Sequence, residues 1–367
     1  MKAQDCCVLI PSLSPDERLP QYVEELLKAE YGLILVVDDG SAEKYQPIFD
    51  RLAKMNGCHV LHHDVNHGKG QALRTGFEYI LNHTKIQGII TADADGQHTV
   101  PDTLKLTETL SEKKELILGS RDFSGKNDQI PSKSRWGNRI TSCVFRVLYG
   151  QWLPDTQTGL RAFGRELIPA MLKVSGDRFE YEMNQLIFCA NQKIPMTAVG
   201  IETVYLDDNK SSHFHPVRDS IRIYKLLLGS FLRYSAASIV SFLLDYLILS
   251  LLMFWIFKDQ PDIVFLGIPF SVKALIAAPI ARLFSAPVNF LLNKNFAFQV
   301  KESKGAAFRY FILALCSIVI TTLLFGWLDH FMNTPFLHIL LKVVIDVAMY
   351  VINYRIQKAW VFPAEKV

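Results

Sequence analysis

Four long apolar segments beyond residue 228 constrain this chain more than any other feature. They run over 234–257, 264–292, 308–327 and 336–361, and each is long enough to cross a hydrocarbon core, which takes about 20 helical residues. Before residue 228, charged and apolar residues alternate as in a soluble domain. The chain is therefore expected to divide into a soluble domain, 1–225, and an all-α membrane domain, 226–367, of four transmembrane helices. The net charge of +3 over 367 residues, with no basic block interleaved with aromatics in the first two hundred, argues against nucleic acid as a partner. Six cysteines without a CxxC pair read as core thiols rather than a disulfide or zinc framework.

The connections between spans separate by charge. Lys294, Lys301, Lys304 and Arg309 lie between the second and third spans, and Arg355, Lys358 and Lys366 at the end, whereas the other two connections hold only Lys258. The positive-inside rule then places both hairpins outside and both ends in the cytosol. The N-terminus, MKAQDCCVLIPSL, lacks the apolar core of a signal peptide, which also leaves the first domain on the cytosolic side of the cell membrane. An internal echo joins the two hairpins. Phe231-Leu232-Arg233-Tyr234 opens the first span and Ala307-Phe308-Arg309-Tyr310 the third; NFLLNKNFAF, from Asn289, closes the second and NYRIQKAWVF, from Asn353, the fourth. Two copies of a two-span unit must face the same way, giving two parallel hairpin repeats. Convergent interfacial anchors are the alternative. Membrane domains this small often need further copies to bury polar groups, so a homo-oligomer is an expected partner.

In the first domain, β-rich runs (7–12, 33–38, 58–62, 88–92, 116–120) alternate with amphipathic stretches, which predicts an α/β, mostly parallel sheet covered by helices. Ligands of such sheets bind beyond the carboxyl ends of the strands, where this chain carries Pro11-Ser12, Asp38-Asp39-Gly40-Ser41, Asp93 to Gln97 and Gly119-Ser120-Arg121. Residues i and i+2 of a strand share a side, so Asp93 and Asp95 can present two carboxylates to one point, with Gln97 adding an amide oxygen. Oxygen donors in that number fit Mg2+ or Mn2+ completed by water and substrate phosphates. An N-cap and solvated turn ahead of Pro101 is the bland alternative. Asn66-His67-Gly68-Lys69-Gly70 sets a glycine-flanked lysine at a helix start, a place that favours anions.

Taken together, Pro11, VVDDGS, NHGKGQALRTGF, DADGQH, GSR and DTQTGLRAF stand in the order found in family 2 glycosyltransferases. Residues 5–220 resemble the polyprenyl-phosphate branch of that family, the dolichol-phosphate mannose synthase type, and residues 230–362 resemble a GtrA-like four-span domain. The resemblance implies a Rossmann-like GT-A fold, a nucleotide-sugar donor, inversion at the sugar carbon, and a divalent metal at Asp93, Asp95 and Gln97. It implies that Asp39 holds the nucleoside, that Pro11 and Lys69 belong to the donor side and that Arg121 serves the phosphates. Asp155 and Thr158-Gly159 match the family's loop near the reacting sugar. The chain departs from the pattern after Pro11, where Ser12 to Glu17 replaces the usual Pro-x-x-Asn-Glu, so that Glu17 or Asp16 stands in for the base-contacting carboxylate.

An acceptor phosphate is already anionic, so the chemistry needs little base catalysis and much charge stabilisation of the departing diphosphate. Arg121, Arg135 and Arg139 are suited to grip phosphate. Arg135 and Arg139 sit four apart on an expected helix that continues as an apolar stripe with arginines at its edge. That helix either lies at a membrane interface or packs on the sheet with its arginines solvated. Glu180 and Glu182 are solvated or salt-bridged, and the His213-x-His215 loop closes over the donor or joins the domains. Within the spans, Asp245, Lys273, Arg282, Lys342 and Asp346 are expected to face the bundle interior or one another. Mutual pairing and a polar path for a lipid remain equal alternatives.

The expected activity is metal-dependent transfer of one sugar, UDP-glucose or a relative as donor, to polyprenyl (undecaprenyl) phosphate at the cytosolic face. The product would be a lipid-linked sugar for envelope glycosylation, with the membrane domain anchoring or translocating it. The rival readings are a GDP-mannose-using mannosyltransferase and a lipid transporter whose soluble domain senses nucleotide sugar without turnover.

Overall fold

Strand β1 (Cys6–Ser12) is buried along its whole length, and its side chains divide between two cores. Cys7 and Leu9 enter one and Cys6, Val8 and Ile10 the other, the period-two alternation of a strand covered on both faces. The computed structural model describes the chain apart from residues 111–113, 124–131, 203–215, 258–261, 266–267, 302–303, 330–333 and 364–367. It divides into two compact units, Met1–Leu227 and Leu228–Lys366.

In the first unit, β1 pairs in parallel with β2 (Leu33–Asp38) and β4 (Gly88–Thr91), and β3 (Cys58–His62) pairs in parallel with β2. The full order is β3-β2-β1-β4-β6-β5-β7, with β5 (Leu116–Ser120), β6 (Arg161–Gly164) and β7 (Met196–Gly200). β6 runs antiparallel to both neighbours. Its four residues, Arg-Ala-Phe-Gly, are too short and too mixed to announce a strand, and neither β6 nor β7 is among the expected elements. Helices α1 (Arg18–Lys28), α2 (Gln46–Ala53) and α4 (Val100–Thr109) supply the core on one face of the sheet. The other core is built with α3 (Lys69–His83), α5 (Ser132–Tyr149), the short α6 (Ile168–Met171) and α7 (Glu180–Gln192).

In the second unit, α8 (Pro216–Leu251, which begins in the first), α9 (Val272–Leu292), α10 (Ala306–Asp329) and α11 (Pro335–Ile356) contribute four helices long and apolar enough to cross a membrane. Large apolar side chains such as Leu283, Phe308, Leu315 and Val347 are exposed on them; lipid is the solvent that such surfaces fit. The second apolar segment is not helical from its start. A hairpin of β8 (Asp262–Phe265) and β9 (Ile268–Ser271) precedes α9, in a stretch that holds the β-branched Ile263, Val264 and Ile268.

The sequence echo has a structural counterpart. Both α9 and α11 end in a wide turn closed i to i+5, Phe298 N–H to Asn293 O at 2.9 Å and Phe362 N–H to Gln357 O at 2.7 Å. Equivalent rings then make equivalent contacts: Phe290–Tyr310 and Tyr354–Tyr234 both at 5.4 Å, and Phe290–Phe362 and Tyr354–Phe298 at 5.6 and 5.8 Å. Two positions meet their own counterparts, Phe298 on Phe362 at 5.3 Å and Asn293 Nδ2 on Gln357 Oε1 at 3.1 Å. These pairs mark a local two-fold axis between the hairpins.

Among the described residues, Asp245 and Arg282, and Lys342 and Asp346, are paired within the spans. Asp245 accepts from Ser285 Oγ at 2.6 Å and lies 3.5 Å from Arg282, although the Arg282 side chain is 72% exposed rather than interior. Lys342 pairs with Asp346 one turn away. The Lys273 side chain and the His213-x-His215 loop lie outside the described residues.

Candidate active site

The polar ends of β1, β2 and β4 gather around the start of α3. Asp39, 3% exposed, follows β2 and turns into this loop. Its Oδ1 accepts from the His67 N–H at 3.0 Å and lies 2.8 Å from His63 Nδ1, and its Oδ2 accepts from the Gly68 N–H at 2.7 Å. A carboxylate has about four acceptor directions, so one is left. Gly68 has φ +104 and its absent Cβ would lie 2.4 Å from Asp177 O, which is why glycine stands there. The result is that Asp39 fixes the residue at which α3 begins, Lys69. Asp38 is similarly occupied, with Ser41 N–H and His62.

Lys69 Nζ lies 2.6 Å from Asp93 Oδ1 and 2.9 Å from Glu182 Oε1. Burial alone would depress the ammonium, but the two carboxylates outweigh it and hold Lys69 charged above the usual lysine range. Asp93 likewise feels burial, outweighed by Lys69 and by His98, whose Nε2 is 3.3 Å from Oδ2, so its carboxyl stays below the ordinary range. Asp95 goes the other way, raised by burial and then by the charge of Asp93; its Oδ1 accepts from the Gln97 N–H at 3.0 Å. Neither aspartate caps α4: its cap is Thr99, which accepts from the Asp102 N–H.

No cluster of three or more His, Cys, Asp or Glu side chains converges to hold a metal among the described residues. What the turn offers is hard oxygen, two carboxylates and the Gln97 amide. Those donors fit a Mg2+ or Mn2+ ion that draws the rest of its shell from phosphates and water.

The loop from Asp155 to Gly159 joins this cluster to a second one. Gly159 lies against Asp93 so closely that a Cβ would stand 2.4 Å from Oδ2, and Thr91 Oγ1 donates to Gly159 O at 2.9 Å. At the other end Asp155, 1% exposed, receives Arg121 Nε at 2.7 Å and Nη2 at 3.1 Å. Asn138 on α5 ties the same loop, donating to Pro154 O and accepting from Thr156 N–H at 3.1 Å and Oγ1 at 3.2 Å. The fully buried Arg161 donates to Thr158 O at 3.0 Å and to Glu182 O at 2.7 Å, linking the loop to the first turn of α7.

Arg121, Arg135 and Arg139 line one cleft of about 1050 Å3 together with Trp136, Asn138, Trp152 and Pro154. One face of α5 is buried through Phe145 and Leu148. Another leaves Trp136, Ile140, Cys143 and Val147 exposed at helical spacing, so the helix both packs on the sheet and presents an apolar stripe. Pro11 is buried near the end of β1, and beside it Ser12, 2% exposed, has a hydroxyl without a hydrogen-bond partner among the described residues. Glu17 is exposed and pairs with Arg51 at 2.9 Å, and Asp16 pairs with Arg18. Glu182, His98 and Asn138 are members of the site to which the sequence assigns no role; His98 only closes the DADGQH motif. Glu182 stood in a doubtful pair, and Asn138 carried one faint signal, a poor helix former between two arginines.

Residues 7–170 match Glycosyl transferase family 2, and residues 233–362 match the GtrA/DPMS transmembrane domain. An uncharacterized protein of Methanocaldococcus jannaschii is 31% identical over 225 residues, 60% of this chain and 90% of that one. The UDP-N-acetylglucosamine--dolichyl-phosphate N-acetylglucosaminyltransferase of Methanococcus voltae is 28% identical over 218 residues, 54% of this chain and 86% of that one. Among solved structures, glucosyl-3-phosphoglycerate synthase from Mycobacterium tuberculosis with Mn2+, UDP and phosphoglyceric acid gives a TM-score of 0.43 at 16% identity, covering 62% of this chain and 80% of that one. The chain belongs to glycosyl transferase family 2: it is a multi-pass membrane glycosyltransferase whose GT-A sheet is followed by a GtrA/DPMS transmembrane domain.

Proposed function

We propose that the protein transfers one sugar from a nucleotide diphosphate donor to a polyprenyl phosphate at the cytosolic membrane face. The observation that carries this is the cleft in which Arg121, Arg135 and Arg139 stand beside Trp136 and Trp152. Three guanidinium groups fit a phosphate, and the exposed apolar stripe of α5 fits the lipid that bears it. The similarity to a dolichyl-phosphate transferase supports the same acceptor class.

In the reaction, a phosphate oxygen of the acceptor attacks the anomeric carbon. The bond from that carbon to the donor diphosphate breaks, its electron pair leaving with the nucleoside diphosphate, and the configuration inverts. Asp155 holds Arg121 by two hydrogen bonds, so the guanidinium is oriented before substrate arrives and no reorganisation is needed as charge develops. Asn138 keeps α5, with Arg135 and Arg139, in register with that loop. On the donor side, the remaining acceptor direction of Asp39, together with Pro11, the Ser12 hydroxyl and Glu17, serves the nucleoside, and Lys69 serves the diphosphate. Asp93, Asp95 and Gln97 would hold a divalent ion, which supplies charge to the departing diphosphate. The basic residues between the second and third spans and at the C-terminus support a cytosolic side for the catalytic unit.

The test is product formation by the purified protein in detergent with C55 polyprenyl phosphate, Mg2+ or Mn2+, and a panel of UDP and GDP sugars, beside Asp95→Ala. Lipid-linked product from one donor, lost with chelator and in the variant, is expected. Nucleotide binding without product from any donor would overturn the transferase reading in favour of a sensor or transporter.

A further inference from the structure

An ammonium shared by two carboxylates already fills a cation position. Lys69 Nζ sits between Asp93 Oδ1, at 2.6 Å, and Glu182 Oε1, at 2.9 Å, with only 17% of the lysine side chain and 14% of the glutamate exposed. None of the three can drift freely. The start of α3 is held by Asp39 through the His67 and Gly68 amides, the first turn of α7 by Arg161 through Glu182 O, and Asp93 is wedged against Gly159. A divalent ion approaching Asp93 and Asp95 therefore meets one carboxylate whose oxygen is already engaged by a fixed positive charge. If the lysine leaves Asp93, it is not stranded, because Glu182 remains in contact.

We propose that Lys69 is an internal counter-ion that competes with the divalent metal for Asp93, with Glu182 as the seat to which it withdraws. This deepens the metal reading given above and rests on it. Its consequence is order: without donor the ion binds weakly, because it must displace the ammonium. The donor diphosphate reverses the balance by giving both cations a further anion. The site fills with metal and nucleotide together rather than with metal first.

The test is Mn2+ binding to the full-length protein in detergent, without nucleotide, followed by electron paramagnetic resonance. Wild type, Lys69→Met, the double variant Lys69→Met with Glu182→Gln, and Asp95→Asn are compared. The double variant is decisive because it removes one positive and one negative charge, leaving the net charge unchanged, releasing Asp93 and leaving no carboxylate stranded at position 182. Competition predicts that it binds Mn2+ about tenfold tighter or more, the scale of a direct charge contact in a partly buried site. Affinity within about twofold of wild type, even if Lys69→Met alone tightens, would show that only net charge matters and would overturn the proposal. In that case loss of Mn2+ in Asp95→Asn leaves the metal site standing. Absence of Mn2+ binding in wild type and every variant would remove both.

Discussion

Gly159→Ala isolates one contact. The backbone of Gly159 lies outside the left-handed region, so alanine meets no conformational penalty there, and the nearest atoms in its way are those of Asp93: Oδ2 at 2.4 Å and Cγ and Oδ1 at 2.8 Å from the added Cβ. Ordinary contact begins at 3.4 Å, so Asp93 must retreat by about 1 Å or the loop must shift by as much. Asp93 is held by Lys69 on one oxygen and faces His98 on the other. Misplacement of a positioning group on the order of 1 Å costs roughly 100-fold in rate, and kcat/KM for lipid-linked product should fall by about that factor. The steric cost should also appear in stability and vanish when its cause is removed. In an Asp93→Ala background the same substitution should be nearly neutral, giving a coupling of about 1–3 kcal/mol in a double-mutant cycle read by thermal denaturation. Activity within threefold of wild type, or additive stability effects, would refute the claim that Gly159 is glycine because Asp93 needs the space.

Asn138→Ala removes the ties from α5 to Pro154 and Thr156; kcat/KM should fall about tenfold or more, with nucleotide affinity unchanged in a calorimetric titration. Asp95 is raised by burial and by Asp93. The folded state thus binds its proton more tightly than the unfolded chain, and stability falls as pH rises through that interval. Asp95→Asn should accordingly raise the metal-free melting temperature by a few degrees at neutral pH while abolishing transfer, and chelator should add no further loss in the variant. Replacing Trp136, Ile140 and Val147 by serine should impair transfer to C55 acceptor in vesicles far more than to a short-chain acceptor in solution, the two rates being compared directly. Asp245→Asn leaves Arg282 with a neutral neighbour within a span and should lower the yield of folded protein more than Lys342→Leu with Asp346→Leu, which removes a whole pair; size-exclusion profiles in detergent report both.

The central parallel strands were legible because strands buried on both faces must be continuous apolar runs, as in Val8 to Ile10 and Ile34 to Val37, whereas β7, parallel to β5 but largely exposed, has no such run. β6 was not, because Arg161 interrupts the run and its burial depends on acceptors from Thr158, Glu182 and Gln185 supplied by the tertiary fold. Similarly, Asp93 and Asp95 announce themselves by spacing, but their charge balance does not. Lys69 and Glu182 lie far from them along the chain and meet only when α3 and α7 are packed. The hairpin before α9 was hidden by hydropathy, which measures transfer to lipid and is silent on whether the backbone is helical or extended.

The local two-fold between the membrane hairpins carries a consequence for how this domain arose. Residues on such an axis must tolerate their own image. A carboxamide does so, because it both donates and accepts, and so does an aromatic ring; Asn293 with Gln357 and Phe298 with Phe362 are these two solutions. A single hairpin bearing them could have paired with an identical hairpin before the two were joined in one chain. Off the axis, the two-fold imposes no such demand on either hairpin. Arg282 and Asp346, which hold the same place in the two repeats, now carry opposite charges and answer to different partners, Asp245 and Lys342. The fused domain keeps a symmetric seam and asymmetric flanks, and the flanks are where the two halves are free to acquire separate tasks.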